Sequence, residues 1–136
     1  MNTVSNKITI FITSEEDIIV ARQKVREFAS EIGFQYMDTI IIATAISEIT
    51  RNIINYAIKG EIEFSYIQDN KKEGIQIIAL DKGPGIKDIS LALQDGYSTG
   101  KGLGLGLPGS KRLMDEFEIF SEVSKGTKVI MRKWKL

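Results

Sequence analysis

Apolar and polar residues alternate through Lys7–Thr13 (KITIFIT), the period-two pattern of a half-buried strand. Ile18, Ala21, Val25, Phe28, Ala29 and Ile32 then recur at three- and four-residue spacing, which predicts an amphipathic helix with Gly33 as its left-handed stop. Ahead of that helix, Thr13-Ser14-Glu15-Glu16-Asp17 offers two overlapping capping boxes, Thr13 with Glu16 and Ser14 with Asp17. A second helix is predicted from about Met37 to Ile58, with Gly60 ending it. Its Ile40–Ile46 stretch is apolar on nearly every side, which predicts burial all round. Glu61–Ile67 alternates again, Ile62, Phe64 and Tyr66 on one face and Glu61, Glu63 and Ser65 on the other. Asp69–Gly74 reads as a hairpin connection into a strand at Ile75–Leu80. A helix near Leu105–Glu116 and short strands at about Phe117–Val123 and Thr127–Trp134 complete the pattern.

That order, strand, helix, helix, strand, strand, loop, helix, strand, strand, lacks the strict alternation of a doubly wound fold. Hairpin-linked strands with helices segregated to one side predict an α+β two-layer sandwich. Its sheet should be mixed but mostly antiparallel, with the helices on one face. No repeat, linker or low-complexity stretch interrupts the chain, so residues 1–136 are read as one domain.

Composition narrows the chemistry. Eighteen basic and eighteen acidic residues give zero formal net charge, which argues against holding nucleic acid or an anionic membrane by bulk electrostatics. No apolar run approaches the ~18–20 residues that span a bilayer, and Met1-Asn2-Thr3-Val4 lacks a signal peptide's pattern, so a cytoplasmic protein is expected. The chain has no Cys and no His. Disulfides, thiolate nucleophiles, Cys-based zinc sites, Ser-His-Asp triads and a phospho-accepting histidine are therefore excluded. Catalysis must run on carboxylates, amides, hydroxyls, Lys or Arg, with a hard metal such as Mg²⁺ at most.

Three segments carry candidate chemistry. Glu48 and Asn52 lie four apart on the second helix and so share a face, and Thr44, Arg51 and Asn55 continue the polar stripe opposite Ala45, Ile49, Ile53 and Tyr56. The stripe is either a solvated face or one wall of a polar site. Asp81-Lys82-Gly83-Pro84-Gly85-Ile86 closes a strand, and Asp81 shares parity with the inward Ile75, Ile77 and Ala79. It is either an ordinary strand-end turn or an acceptor at a pocket floor. Eight of the twelve glycines and both prolines fall between Gly83 and Gly109, a composition too costly in backbone entropy for a core segment. Within it, Gly100-Lys101-Gly102-Leu103-Gly104-Leu105-Gly106 leads straight into a helix, where backbone N–H groups can receive an anion. Neither the dinucleotide fingerprint nor the P-loop is met: Gly104–Gly109 has the GxGxxG spacing but no strand precedes it, and Gly102 stands where a P-loop needs Ser or Thr.

A same-face Glu/Asn pair, a strand-end DxGxG and a glycine loop entering a helix, in that order, resemble the N-box and two glycine boxes of the GHKL (Bergerat) ATP-binding family. Gly126-Thr127 falls where that family places its last motif. The resemblance implies a Bergerat-type sandwich, with ATP and Mg²⁺ as cofactors. It implies that Asn52 ligates the Mg²⁺, that Glu48 is the catalytic carboxylate, and that Asn55 belongs to the ATP site. It also implies that Asp81 binds the adenine amino group, with Thr127 assisting. Gly83 and Gly85 would let the chain bend around the base, with Ile86 packed on it. Gly100, Gly102, Leu103, Gly104, Leu105 and Gly106 would wrap the triphosphate, with Ser98, Thr99 and Lys101 in a lid.

A chain of this size has no room for the added domains of the topoisomerase, chaperone and mismatch-repair branches, and a histidine kinase would need a histidine in trans. The resemblance is then to small serine/threonine-protein kinases of bacterial partner-switching systems, the stressosome switch-kinase type in particular. Ser47–Ile53, Asp95–Thr99, Gly104–Gly109 and Lys111–Phe117 carry that finer match. It implies STAS-domain antagonists as phosphorylation substrates and a PPM-type phosphatase bound and activated afterwards, with no nucleic acid and no membrane as partner. An anti-sigma-factor kinase and a nucleotide-gated binding module stay open as alternatives, and both a monomer and a homodimer fit. Arg51 stays open between a γ-phosphate contact and an exposed partner contact.

Overall fold

The computed structural model describes residues 2–57, 59–83 and 106–136. Among them lie five strands and three helices in the order β1 (Asn2–Ile12), α1 (Glu16–Glu31), α2 (Tyr36–Tyr56), β2 (Gly60–Asp69), β3 (Lys72–Asp81), α3 (Gly106–Leu113), β4 (Glu116–Glu122) and β5 (Gly126–Trp134). The strands form one sheet in the order β1-β2-β3-β5-β4, antiparallel at every pairing. The sheet expected as mixed is thus wholly antiparallel among the described residues. The α+β two-layer arrangement is as the pattern predicted, and it agrees with the sandwich the resemblance implied.

One face of the sheet is the core. Ile62 and Phe64 of β2, Ile75 and Ile77 of β3 and Val129 and Met131 of β5 pack in one cluster with Val25 and Phe28 of α1 and Ile42, Ile46, Ile49 and Ile53 of α2. Phe28 meets Phe64 edge to face, ring centroids 5.4 Å apart. The opposite face keeps Phe11 and Phe120 largely exposed.

Several local expectations change once neighbours are present. β1 starts five residues before Lys7, because Asn2–Ser5 pair with Tyr66–Asp69 across a register shift between Ser5 and Ile8. That irregularity breaks the alternation from which a strand is read. Ser65 and Ile67 are buried along with Ile62 and Phe64, so β2 is covered on both sides near its end. Ile67 pairs with Gly74, against which the Trp134 ring lies.

Neither capping box forms as drawn. The Thr13 and Ser14 hydroxyls do not cap the helix; both backbone N–H groups, at 2.8 and 3.1 Å, and both hydroxyls donate to Asp17 Oδ2. The back-bond from Asp17 to Ser14 is the half of the motif that survives. At the other end Gly33 adopts φ +101° and closes α1 with bonds from Gly33 N–H to Ser30 O and from Phe34 N–H to Ala29 O, a Schellman stop.

Gly60 does not end α2. The helix stops at Tyr56, and Gly60 is the first residue of β2, where a Cβ would strike the Leu80 carbonyl oxygen and crowd Ile53. α3 is also shorter than expected, since Asp115 donates its N–H to Arg132 O at 3.0 Å and accepts from Trp134 N–H at 2.8 Å. Those bonds hand the chain directly to β4.

Candidate functional site

α2 carries polar side chains into a buried helix by feeding hydroxyls back to its own carbonyls. Ser47 Oγ donates to Ala43 O at 2.8 Å and Thr50 Oγ1 to Ile46 O at 2.6 Å, so neither buried hydroxyl is left unsatisfied. Glu48, Asn52 and Asn55 lie half-buried on the border between the buried Ile49 and Ile53 and the exposed Thr44 and Arg51. A solvated face would leave them exposed, and a core would bury them. Arg51 Nη1 reaches Glu48 Oε1 at 3.5 Å, an (i, i+3) pair with the guanidinium half in solvent.

The last turn of α2 meets the end of β3. At Gly83 an added Cβ would stand 2.6 Å from Ala57 Cβ and 2.8 Å from Ala57 Cα, so the helix and the strand end touch there without room for a side chain. Asp81 faces the core side, as its parity predicted, and Asp81 Oδ1 accepts from Gly83 N–H at 2.9 Å. Its carboxyl also accepts from the Thr127 N–H across the β3–β5 register. Burial raises the Asp81 pKa from its ordinary value, and the two N–H bonds work against that rise.

Gly126 locks the second half of this corner. It adopts φ +112°, and a Cβ there would collide with the Asp81 carbonyl oxygen. Thr127 follows, buried and paired with Asp81, its hydroxyl 2.8 Å from Ser121 Oγ. Ser121, in hydrogen-bond contact with Thr127, is the neighbour of the site that sequence reasoning missed. Its one signal is parity with Phe117 and Ile119 along β4, which a strand reader assigns to packing.

α3 docks on the same helix. Ser110, fully buried, donates to Ala45 O at 3.1 Å, one turn before Glu48. The segment that follows the glycine loop is therefore held beside α2. Gly106 begins α3. Gly85, Ile86, Ser98, Thr99, Gly100, Lys101, Gly102, Leu103, Gly104 and Leu105 lie outside the described residues.

A cavity of about 640 Å³ opens at this end of the sheet, and it is a different feature. Its lining includes Phe11, Glu61, Leu80, Lys128 and Phe120, which form one cross-strand row on the face away from the helices. It touches Asp81 and Thr127 from behind but none of Glu48, Asn52 or Asn55. The corner where the end of α2 meets the β3–β5 ends, not this cavity, is the candidate site. Among the described residues no group of three or more carboxylates could hold a metal ion.

Residues 11–133 match the model of the histidine kinase-like ATPase domain family. The chain is similar to the serine/threonine-protein kinase RsbT of Bacillus subtilis (strain 168), 48% identical over 131 residues that cover 96% of this chain and 98% of that protein. It is also similar to the anti-sigma F factor of Caldanaerobacter subterraneus subsp. tengcongensis, 32% identical and covering 91% of this chain and 90% of that one. Among solved structures, the mycobacterial sensor histidine kinase MprB shares the fold with a TM-score of 0.58 at 15% identity, over 95% of this chain and 96% of that one.

Proposed function

We infer, from the premise that this chain belongs to the histidine kinase-like ATPase family, that it is a serine/threonine-protein kinase that uses ATP. The observation that carries the reading is the corner where the last turn of the Glu48–Asn52 helix meets Asp81, Gly83, Gly126 and Thr127. An acceptor carboxylate at a strand end suits the exocyclic amino group of adenine. Asn52, half-buried on the polar edge of α2, offers an amide oxygen, a hard donor of the kind Mg²⁺ takes alongside phosphate oxygens. When bound, Mg²⁺ neutralises charge on the transferring phosphoryl.

Glu48 is the proposed group that accepts or orients the proton of a partner's serine or threonine hydroxyl. Asn55 continues the same edge toward the base. Arg51, paired with Glu48 at 3.5 Å and with its side chain half exposed, is proposed as a phosphate or partner contact. The glycine loop through Gly106, with Ser98, Thr99 and Lys101, is the proposed phosphate cradle and lid. Its backbone N–H groups would serve phosphate oxygens at the start of α3.

The partner proposal is a STAS-domain antagonist as substrate, followed by docking on a PPM-type phosphatase, within the cytoplasm and on one kinase domain. Identity of 48% to the kinase against 32% to an anti-sigma factor favours this over sigma-factor capture. Among the described residues no helix is long and apolar enough to cross a membrane. The test incubates the protein with Mg²⁺ and γ-labelled ATP and with the STAS proteins and sigma factors of its own genome. Label on a STAS serine or threonine, with no sigma factor retained, is the expected result. Tight ATP-dependent capture of a sigma factor replaces it with the anti-sigma reading, and ATP-dependent binding without transfer reduces it to a binding module.

A further inference from the structure

We propose that the open face of the sheet is a self-association surface, on which a second copy of this chain packs about a twofold axis running along β3. The observation is the chemistry of one cross-strand row. From β1 to β4 it reads Phe11, Glu61, Leu80, Lys128, Phe120: aromatic, acid, leucine, base, aromatic. Phe11 is 69% exposed and Phe120 55%, and both line the hollow that Leu80 also lines. The next row, Thr9, Glu63, Ile78, Ile130 and Glu118, extends the apolar centre. At the other end of the same face Ile67 is buried, in the row where the Trp134 ring lies against Gly74. The chain closes that end itself and leaves the row of Leu80 open.

A row of that order is complementary to itself turned round. When two such faces stack, a half-turn about β3 carries β2 over β5 and β1 over β4, and each row keeps its own height. Glu61 of one copy then meets Lys128 of the other, Phe11 meets Phe120 and Leu80 meets Leu80. Glu63, set over Ile130 by this arrangement, holds Lys7 at 3.5 Å. A half-turn about the row of Ile78 instead keeps each strand over its own copy. It sets Lys128 over Arg132 and Phe120 over Glu116, pairing like charges and placing an acid on a ring. Stacked sheets align their strands within about 30°, and a twofold dimer needs one patch that fits itself. Five strands ~4.8 Å apart, by the ~24 Å of the seven residues of β4, give a face of roughly 570 Å². Two such faces cover roughly 1,150 Å², just above the ~1,000 Å² at which a specific interface begins. The helix layer lies on the opposite face, so α2 stays accessible in the dimer.

Sedimentation equilibrium on the full chain should show a monomer–dimer equilibrium with a dissociation constant of about 1–100 μM, the weak end for so small an interface. Glu61→Lys and Lys128→Glu should each raise that constant at least about tenfold, since each makes both symmetry-related contacts repulsive. Mixed in equal amounts, the two variants should form a dimer of near wild-type affinity, because one carries a base at both positions and the other an acid at both. That recovery also shows that both variants fold. The chain has no cysteine, so Leu80→Cys puts a single thiol on the axis. A short bismaleimide should join two copies of it, and should not join copies of Gln23→Cys on the exposed side of α1.

A wild-type chain that stays monomeric at about 1 mM overturns the proposal. So does a dimer that both charge reversals leave intact, a variant mixture that stays monomeric, or equal cross-linking of Leu80→Cys and Gln23→Cys. The kinase reading stands apart from all of these outcomes, since label transfer tests it.

Discussion

Glu48 and Asp81 are two half-buried carboxylates with different company. Glu48 faces a guanidinium at 3.5 Å, whereas Asp81 is held by backbone N–H groups at a strand end. Glu48→Gln is nearly isosteric and should leave ATP affinity within about twofold while phosphoryl transfer falls ~10²-fold, the usual worth of a positioned base. Calorimetry and γ-label transfer measure the two, and transfer at the wild-type rate removes Glu48 from catalysis. At Asp81 burial raises the folded-state pKa, so folding favours the protonated form. Its contribution to stability is complete below the unfolded value and is lost as the pH rises through the folded one. Asp81→Asn should therefore stabilise nucleotide-free protein at pH 7, seen as a higher melting temperature, by less than about 1 kcal/mol because a half-exposed carboxylate is screened. The gain should vanish as the pH approaches the ordinary aspartate value of 3.8. ATP affinity should fall about tenfold in the same variant. A melting temperature that drops at pH 7 contradicts this account.

At the scale of elements, the two positive-φ glycines separate conformation from space. Gly33 ends α1 at φ +101°, and the atoms an added Cβ would meet are the far end of Lys135, which can swing aside. Gly33→Ala should cost about 1 kcal/mol, the price of a left-handed alanine. Gly126 has a similar φ of +112°, but there the obstacle is the Asp81 carbonyl and the Lys82 backbone. Gly126→Ala should cost more than about 2 kcal/mol and prise β5 from β3 beside Thr127. Urea denaturation compares the two directly, and equal losses would show that space is not the issue. The start of α1 obeys a different rule. Hydrogen bonds led by the Thr13 N–H lower the Asp17 pKa, so that helix start holds above the ordinary aspartate range and loosens as the pH falls through it.

Across the whole molecule, helix layer and sheet meet at Phe28 and Phe64, whose rings sit edge to face at 69°. Each is buried, and each truncation to alanine should cost roughly 3–5 kcal/mol, a large share of the ~5–15 kcal/mol that holds such a domain. The double variant should lose less than the sum by about 1 kcal/mol, since one contact is removed twice in the bookkeeping. Full additivity in a denaturation cycle would mean that α1 and β2 are held independently. The corner bearing Asp81 and Thr127 is built on this joint, because β2, β3 and β5 carry both the core residues and the site.

What could be read from the chain itself was local and periodic. The apolar recurrence from Ile18 to Ile32, the all-round apolar stretch of α2 and the parity that turns Asp81 inward need only the geometry of one helix or one strand, and each has its place in the structure. Gly33 as a stop belongs with them, since a left-handed residue after a helix is a property of the segment. The motif order identified the family for the same reason: it is a property of sequence. Tertiary structure decided whatever depends on a neighbour distant along the chain. Asn2–Ser5 carry no strand pattern and become strand because β2 offers them partners. Gly60 looked like the end of a helix, but its lack of a side chain serves the Leu80 carbonyl. Ser121 lay unremarked inside the strand expected at Phe117–Val123 until the β4–β5 pairing set it against Thr127. Periodicity encodes which way a side chain points, and only packing decides what it meets there.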